Sequence, residues 1–91
     1  MLFRSLPPAI APVLTDIAEA FSSLDPFNPA AMEETLTAVV ARHGGEIKIH
    51  QPIRVALTGG TASPGLFEVM EILGRDEVAR RLRGAAERIG A

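Results

Sequence analysis

Apolar residues recur every three or four positions through most of the chain, with polar residues between them. This spacing is typical of amphipathic helices, because it places the apolar side chains along one face. A first helix is predicted over about residues 11–24, and the prolines of residues 25–29 end it. Pro12 is compatible with this helix only in its first turn. The apolar face consists of Ile10, Val13, Leu14, Ile17, Phe21 and Leu24.

A second helix has clear signals at both ends. Asn28 is a favoured capping residue, and Pro29 fits the first helical position because the amide it lacks would have no partner there. Gly44-Gly45 ends the helix, since glycine readily adopts the left-handed conformation found at helix C-termini. One stripe of this helix carries Met32, Leu36, Val39, Val40 and His43.

Residues 46–58 fit two interpretations. The apolar residues alternate as in a strand, but they also fit a short helix that starts at Pro52. A single strand would have no partner, because no second alternating run exists in the chain. The short helix is therefore the preferred prediction.

Two more helices are predicted in the last third of the chain. Ser63-Pro64 repeats the capping signature, and the helix that follows ends at Gly74. The last helix begins near Asp76 and forms an antiparallel neighbour of the one before it. Its outer face is predicted to pair Asp76 with Arg80, Glu77 with Arg81 and Arg83 with Glu87. The fold class is therefore all-α, a small bundle of about five helices, with residues 1–10 as an irregular N-terminal segment and residues 11–91 as the helical domain.

Composition restricts the possible functions. The chain has 91 residues, which is the size of one domain, and 47% of them are hydrophobic. It has no cysteine, so thiolate metal sites and disulfides are excluded, and a cytoplasmic location is expected. No apolar run approaches the roughly 18 residues that span a membrane. The net charge is −2, but residues 48–91 hold seven basic and five acidic residues, so this half is the expected side for a polyanion.

No catalytic or metal-binding constellation is found in the sequence. The two histidines, His43 and His50, are not spaced to place two ligands on one helix face, and His43 is expected to interact with the C-terminus of its own helix. A phosphate-binding loop is also excluded, because Gly65 is not followed by lysine and serine or threonine. We therefore predict no catalytic residue, metal ligand or cofactor in this chain.

The most informative stretch is residues 52–67, where a glycine-rich loop joins an apolar segment to a helix start. Unpaired backbone groups in such a loop, with Arg54 nearby, suit the edges of unstacked bases in single-stranded RNA. Two alternatives remain open at this point. The loop and its serine can be only a turn and a helix cap, or the chain can be a protein-interaction module with no RNA role, whose apolar stripe is Val55, Leu57 and Phe67.

Three motifs resemble the C-terminal end of bacterial glutamate–tRNA ligases: residues 52–59, PIRVALTG; residues 63–68, SPGLFE; and residues 73–77, LGRDE, followed by an arginine-rich helix. The resemblance is specific from about Pro52 to Leu82. It implies a class I synthetase anticodon-binding domain, an all-α bundle that grips the anticodon loop of tRNA(Glu). By motif position, Arg54 resembles the arginine that reaches the first anticodon base, and Ser63, Pro64 and Leu66 resemble the group that contacts the middle base.

The same resemblance implies what the chain lacks. The HIGH and KMSKS signatures, which bind ATP in the catalytic domain of that family, are missing from these 91 residues. We therefore expect ATP and Mg to act in a parent ligase and the chain alone not to be catalytic. The expected partners are tRNA(Glu) and catalytic domains of the same polypeptide, with no membrane association and a monomeric state.

Overall fold

The computed structural model describes residues 7–45, 47–58 and 65–90, and these contain five helices and no strand. In chain order they are α1 (Ile10–Ser22), α2 (Pro29–Arg42), α3 (His50–Thr58), α4 (Leu66–Leu73) and α5 (Arg75–Gly90). The predicted all-α class is confirmed, and the segment from Pro52 is helical as predicted, although α3 begins two residues earlier, at His50. The division of the chain at residue 10 stays a prediction.

Helix α1 ends two residues earlier than predicted. The hydroxyl of Ser22 donates to the carbonyl of Glu19 at 2.8 Å, and the amide of Leu24 donates to the carbonyl of Phe21 at 3.1 Å. Serine hydroxyls compete with backbone amides for helical carbonyls. The bond from Leu24 to Phe21 spans three residues, as in the tighter 3₁₀ turns that often end α-helices. The helix therefore stops at Ser22, before the first proline of the connection.

Both predicted ends of α2 are confirmed. The Asn28 side chain accepts a hydrogen bond from the amide of Ala31 at 2.9 Å, and Pro29 is the first helical residue. After the helix, Gly44 and Gly45 have φ values of +105° and +78°. Only glycine adopts these angles without steric cost, and the Gly45 amide closes the helix by donating to the carbonyl of Val40 at 2.9 Å.

The start of α4 differs from the prediction. Gly65, with φ −48° and ψ 132°, occupies the N-cap position, two residues after the predicted cap Ser63. Ser63 and Pro64 lie outside the described residues. The backbone of Gly65 is not helical, so the helix begins only at Leu66. Its predicted end is confirmed, because Gly74 follows the last turn with φ +89°.

The first and last helices form the centre of the bundle. Helix α5 makes its most extensive contact with α1 and smaller contacts with α3 and α4. Helix α2 packs on α1 and α4. No buried position in the described part of the chain is polar or charged. The largest fully buried side chains are Phe21, Leu14, Ile17, Met32, Ile53, Met70 and Leu82.

Candidate functional site

The predicted RNA-contacting arginine lies on α3. Arg54 is half-buried, and its carbonyl accepts a hydrogen bond from the hydroxyl of Thr58 at 2.8 Å. Pro52 and Ile53 beside it are buried and hold the helix against the bundle. The backbone that carries Arg54 is therefore fixed by packing of its neighbours, while its side chain retains access to solvent.

The second predicted site element is the start of α4. Leu66 is only 4% exposed and belongs to the hydrophobic core. Gly65 has no side chain that could accept from the amides of the first turn, as the predicted serine cap would have done. The side chain of Glu68 extends back over Gly65, where an added Cβ would lie 3.5 Å from the Glu68 Cδ. The Leu66 side chain is apolar and buried, so the polar donor that this residue contributes to the turn is its backbone amide.

The structure brings Arg54 and Leu66 onto two helices, α3 and α4, that contact each other. The other two predicted site residues, Ser63 and Pro64, belong to residues 59–64, which the structure does not describe. The described part of the site thus consists of the C-terminal half of α3 and the first turn of α4.

An arginine of α5 holds the end of α3. The Nη1 of Arg81 donates to the carbonyl of Leu57, one of the last four helical carbonyls, which have no partner within the helix. The Nε of the same arginine donates to Glu77 at 2.7 Å. The pairing of Glu77 with Arg81 was predicted, but the bond to Leu57 was not. Its partners lie 24 residues apart, and no local pattern signals such a contact.

Glu77 receives a second arginine. Arg80 was predicted to pair with Asp76, and this is wrong: its Nε donates to Glu77 at 3.0 Å and its Nη2 to the other carboxylate oxygen. Arg80 follows Glu77 by three residues, so it lies on the same face of the helix, and two of its guanidinium nitrogens each bond one oxygen of the carboxylate. The hydrogen bonds from Arg80 and then Arg81 lower the pKa of Glu77 from 4.5 to about 2.

A groove of about 730 Å³ runs between α2 and the start of α3. Leu36 and Val40 form part of its apolar wall. The rings of His50 and Phe67 meet edge to face across it, with centroids 6.2 Å apart. Phe67 directly follows Leu66, so the groove continues to the turn where α4 begins.

The remaining histidine has a partner that the sequence did not indicate. The Nε2 of His43 lies 2.6 Å from a carboxylate oxygen of Asp16, so the ring joins the end of α2 to α1 instead of serving its own helix terminus. Across residues 7–45, 47–58 and 65–90, no three histidine or acidic side chains gather into a group that could hold a metal ion. No helix in those segments is long and apolar enough to cross a membrane.

Comparison with known proteins agrees with this architecture. The sequence model of a family described as "Anticodon binding domain" matches residues 3–86. No solved structure shows significant similarity to the chain.

The chain is also similar to part of several curated proteins that are named glutamate–tRNA ligase. It is 46% identical to the protein of Anaeromyxobacter sp. (strain Fw109-5) over 80 residues, which are 87% of this chain and 17% of that protein. Identity to the Desulfosudis oleivorans protein is 44%, over 94% of this chain and 19% of the relative. Identity to the Geobacter sulfurreducens protein is 41%, over 90% of this chain and 18% of that protein. The chain spans less than a fifth of the length of these relatives.

Proposed function

Because the chain belongs to the anticodon binding domain family, we propose that it binds the anticodon loop of tRNA(Glu) as the C-terminal domain of a glutamate–tRNA ligase. The observation that carries this proposal is the similarity of nearly the whole chain to one part of ligases of that name. Catalytic domains of the same polypeptide would attach glutamate with ATP and Mg. This chain would position the tRNA, as a monomer in the cytoplasm.

Within this function, Arg54 contacts the first anticodon base. A guanidinium offers several donors in a planar fork, which suits the acceptors on a base edge, and its flat face can also stack on a base. The position on α3 supports this role, because the backbone is held by buried neighbours while Arg54 itself is only half-buried.

Ser63, Pro64 and Leu66 contact the middle base. The side chain of Leu66 is buried and leaves little surface for a base. Leu66 therefore contacts the base through the edge of its side chain and through its backbone amide at the start of α4. The glycine at the N-cap position supports this, because it has no side chain that would accept from the amides of the first turn. The hydroxyl of Ser63 adds a group that can both donate and accept.

The alternative of a protein-interaction module finds no support. Its proposed apolar stripe included Val55 and Leu57, and each of these is only 2% exposed. A side chain that is already buried within its own domain cannot provide the contact area of a docking surface. Phe67, the third member, is half-buried and packs against His50.

The test is Arg54→Ala in a ligase that carries this chain as its anticodon-binding domain. Loss of one good base contact costs about 1–3 kcal/mol, which predicts a fall in kcat/KM for tRNA of about 5- to 150-fold. The KM values for ATP and glutamate should not change. Arg83→Ala is the matched control, because Arg83 is exposed on α5 and carries the same charge.

A substituted tRNA makes the test specific for the first anticodon base. Changing that base should lower kcat/KM for the unmodified enzyme but have little further effect on the Arg54→Ala variant, because the contact is already lost. Equal kinetics for Arg54→Ala and Arg83→Ala, with both proteins folded, would contradict the assignment of Arg54.

A further inference from the structure

Helix α3 depends on neighbours for its position. It has nine residues, fewer than the roughly 12–15 that give an isolated helix marginal stability in water. Its buried side chains hold it by apolar contact, which resists separation but permits small shifts along the surface. A directional bond at one end adds a restraint along and around the helix axis.

Arg81 supplies that bond. Its Nη1 donates to the carbonyl of Leu57 near the end of α3, while its Nε donates to Glu77 on its own helix. Two bonds from one planar group fix the orientation of the guanidinium, so the carbonyl is held in direction as well as distance. The positive charge is also favourable beside the negative end of the helix dipole.

We propose that Arg81 is a positioning residue for RNA recognition, which holds α3 so that Arg54 meets its base. The inference rests on the proposed function. Arg54 precedes Leu57 by three residues, a separation of about 4.5 Å along the helix axis. A shift of the last turn therefore moves Arg54 directly, and recognition contacts tolerate displacements of only about 0.5 Å.

Arg80 provides a matched comparison on the same helix. It binds the same carboxylate, carries the same charge and adjoins Arg81 in sequence, but its side chain is 72% exposed and its described bonds go only to Glu77. An effect of overall charge, or of the α5 ion pairs, should appear for both arginines. An effect on the position of α3 should appear only for Arg81.

The experiment measures aminoacylation kinetics of a ligase that carries this chain, with Arg54→Ala, Arg80→Ala, Arg81→Ala and Arg81→Lys. Arg81→Ala should raise the KM for tRNA about 2- to 30-fold, the range for residues that act through a neighbouring element. The kcat and the KM for ATP should stay within about twofold. Arg81→Lys should not restore the KM, because one ammonium group cannot reproduce the two-bond geometry of the guanidinium. Arg80→Ala should match the unmodified enzyme.

The double variant separates positioning from general destabilisation. If Arg81 acts through Arg54, then Arg54→Ala combined with Arg81→Ala should bind tRNA no more weakly than Arg54→Ala alone. If the losses of tRNA binding from the two substitutions multiply in the double variant, the inference about Arg81 is overturned. Equal KM values for Arg81→Ala and Arg80→Ala would overturn it as well. In both cases an effect of Arg54→Ala would still support the proposed function. No effect of Arg54→Ala would overturn both. If Arg81→Ala does not fold, Glu77→Gln replaces it, because Glu77 holds the Arg81 guanidinium in place. This variant should also raise the KM for tRNA.

Discussion

Shortening Leu82 to alanine should lower the free energy of unfolding of this chain by about 2–5 kcal/mol. Leu82 lies in the middle of α5, is 0% exposed and belongs to the core cluster that also contains the buried face of α1. The helix pair α1 and α5 is the most extensive contact of the bundle. A cavity at this position therefore weakens the centre of the fold.

The magnitude follows from two contributions. Alanine lacks three carbon atoms of the leucine side chain, and burial of each contributes about 0.8 kcal/mol, or roughly 2.4 kcal/mol in total. The cavity that remains adds to this, because the surrounding helices relax only partly. Domains of this size are stable by about 5–15 kcal/mol. For such a domain each kcal/mol lowers the Tm by about 4–8 °C, so a fall of at least about 8 °C is expected.

Urea denaturation followed by far-UV circular dichroism measures the change. Ile72→Ala is the control, because Ile72 is also a large aliphatic residue on a helix but is 85% exposed. Its loss should stay within about 0.5 kcal/mol. Similar denaturation midpoints for the two variants would refute the placement of α5 in the core.

The remaining predictions concern local features. Gly84→Ala should stabilise the chain by up to about 1 kcal/mol, since the residue is helical and an added Cβ meets nothing within 4 Å. Gly74→Ala should destabilise it by about 1–2 kcal/mol, because φ is +89° there; equal Tm shifts for the two would contradict this. Asn28→Ala should cost about 1 kcal/mol through loss of the α2 cap, while Asn28→Asp should not. Finally, the lowered pKa of Glu77 contributes stability above pH 4.5 that is lost as the pH falls toward 2. Glu77→Gln should flatten that part of the pH profile in thermal denaturation.

Helix ends were largely predictable from sequence. Asn28 caps α2 as expected, and Gly74 ends α4 as predicted, with a positive φ. These signals act within a few residues, through side chains that bond neighbouring amides and through the steric limits on φ. The same local logic failed at the start of α4, where Gly65 holds the position predicted for Ser63.

The residues of the proposed site remain predictions, and they came from different kinds of signal. The choice of Arg54 as the base-contacting residue came from the family resemblance, and its position on a short helix agrees with the pattern of apolar residues around it. Leu66 lies on the apolar stripe of α4, and its burial in the core limits the surface that it can offer to a base. The bond from Arg81 to the carbonyl of Leu57 was not predicted from the sequence either, because Glu77 on the same helix already accounted for a partner of Arg81.

The sequence by itself determined the helices of the described part of the chain, both ends of α2, the end of α4 and the family to which the chain belongs. Only the tertiary structure decided that α5 packs along α1, and that Arg75 reaches the carbonyl of Leu24, 51 positions away in the chain. The physical reason is the range of the interactions. Caps and glycine angles depend on adjacent residues, whereas helix pairing depends on which apolar faces fit each other and on which polar groups that fit brings together.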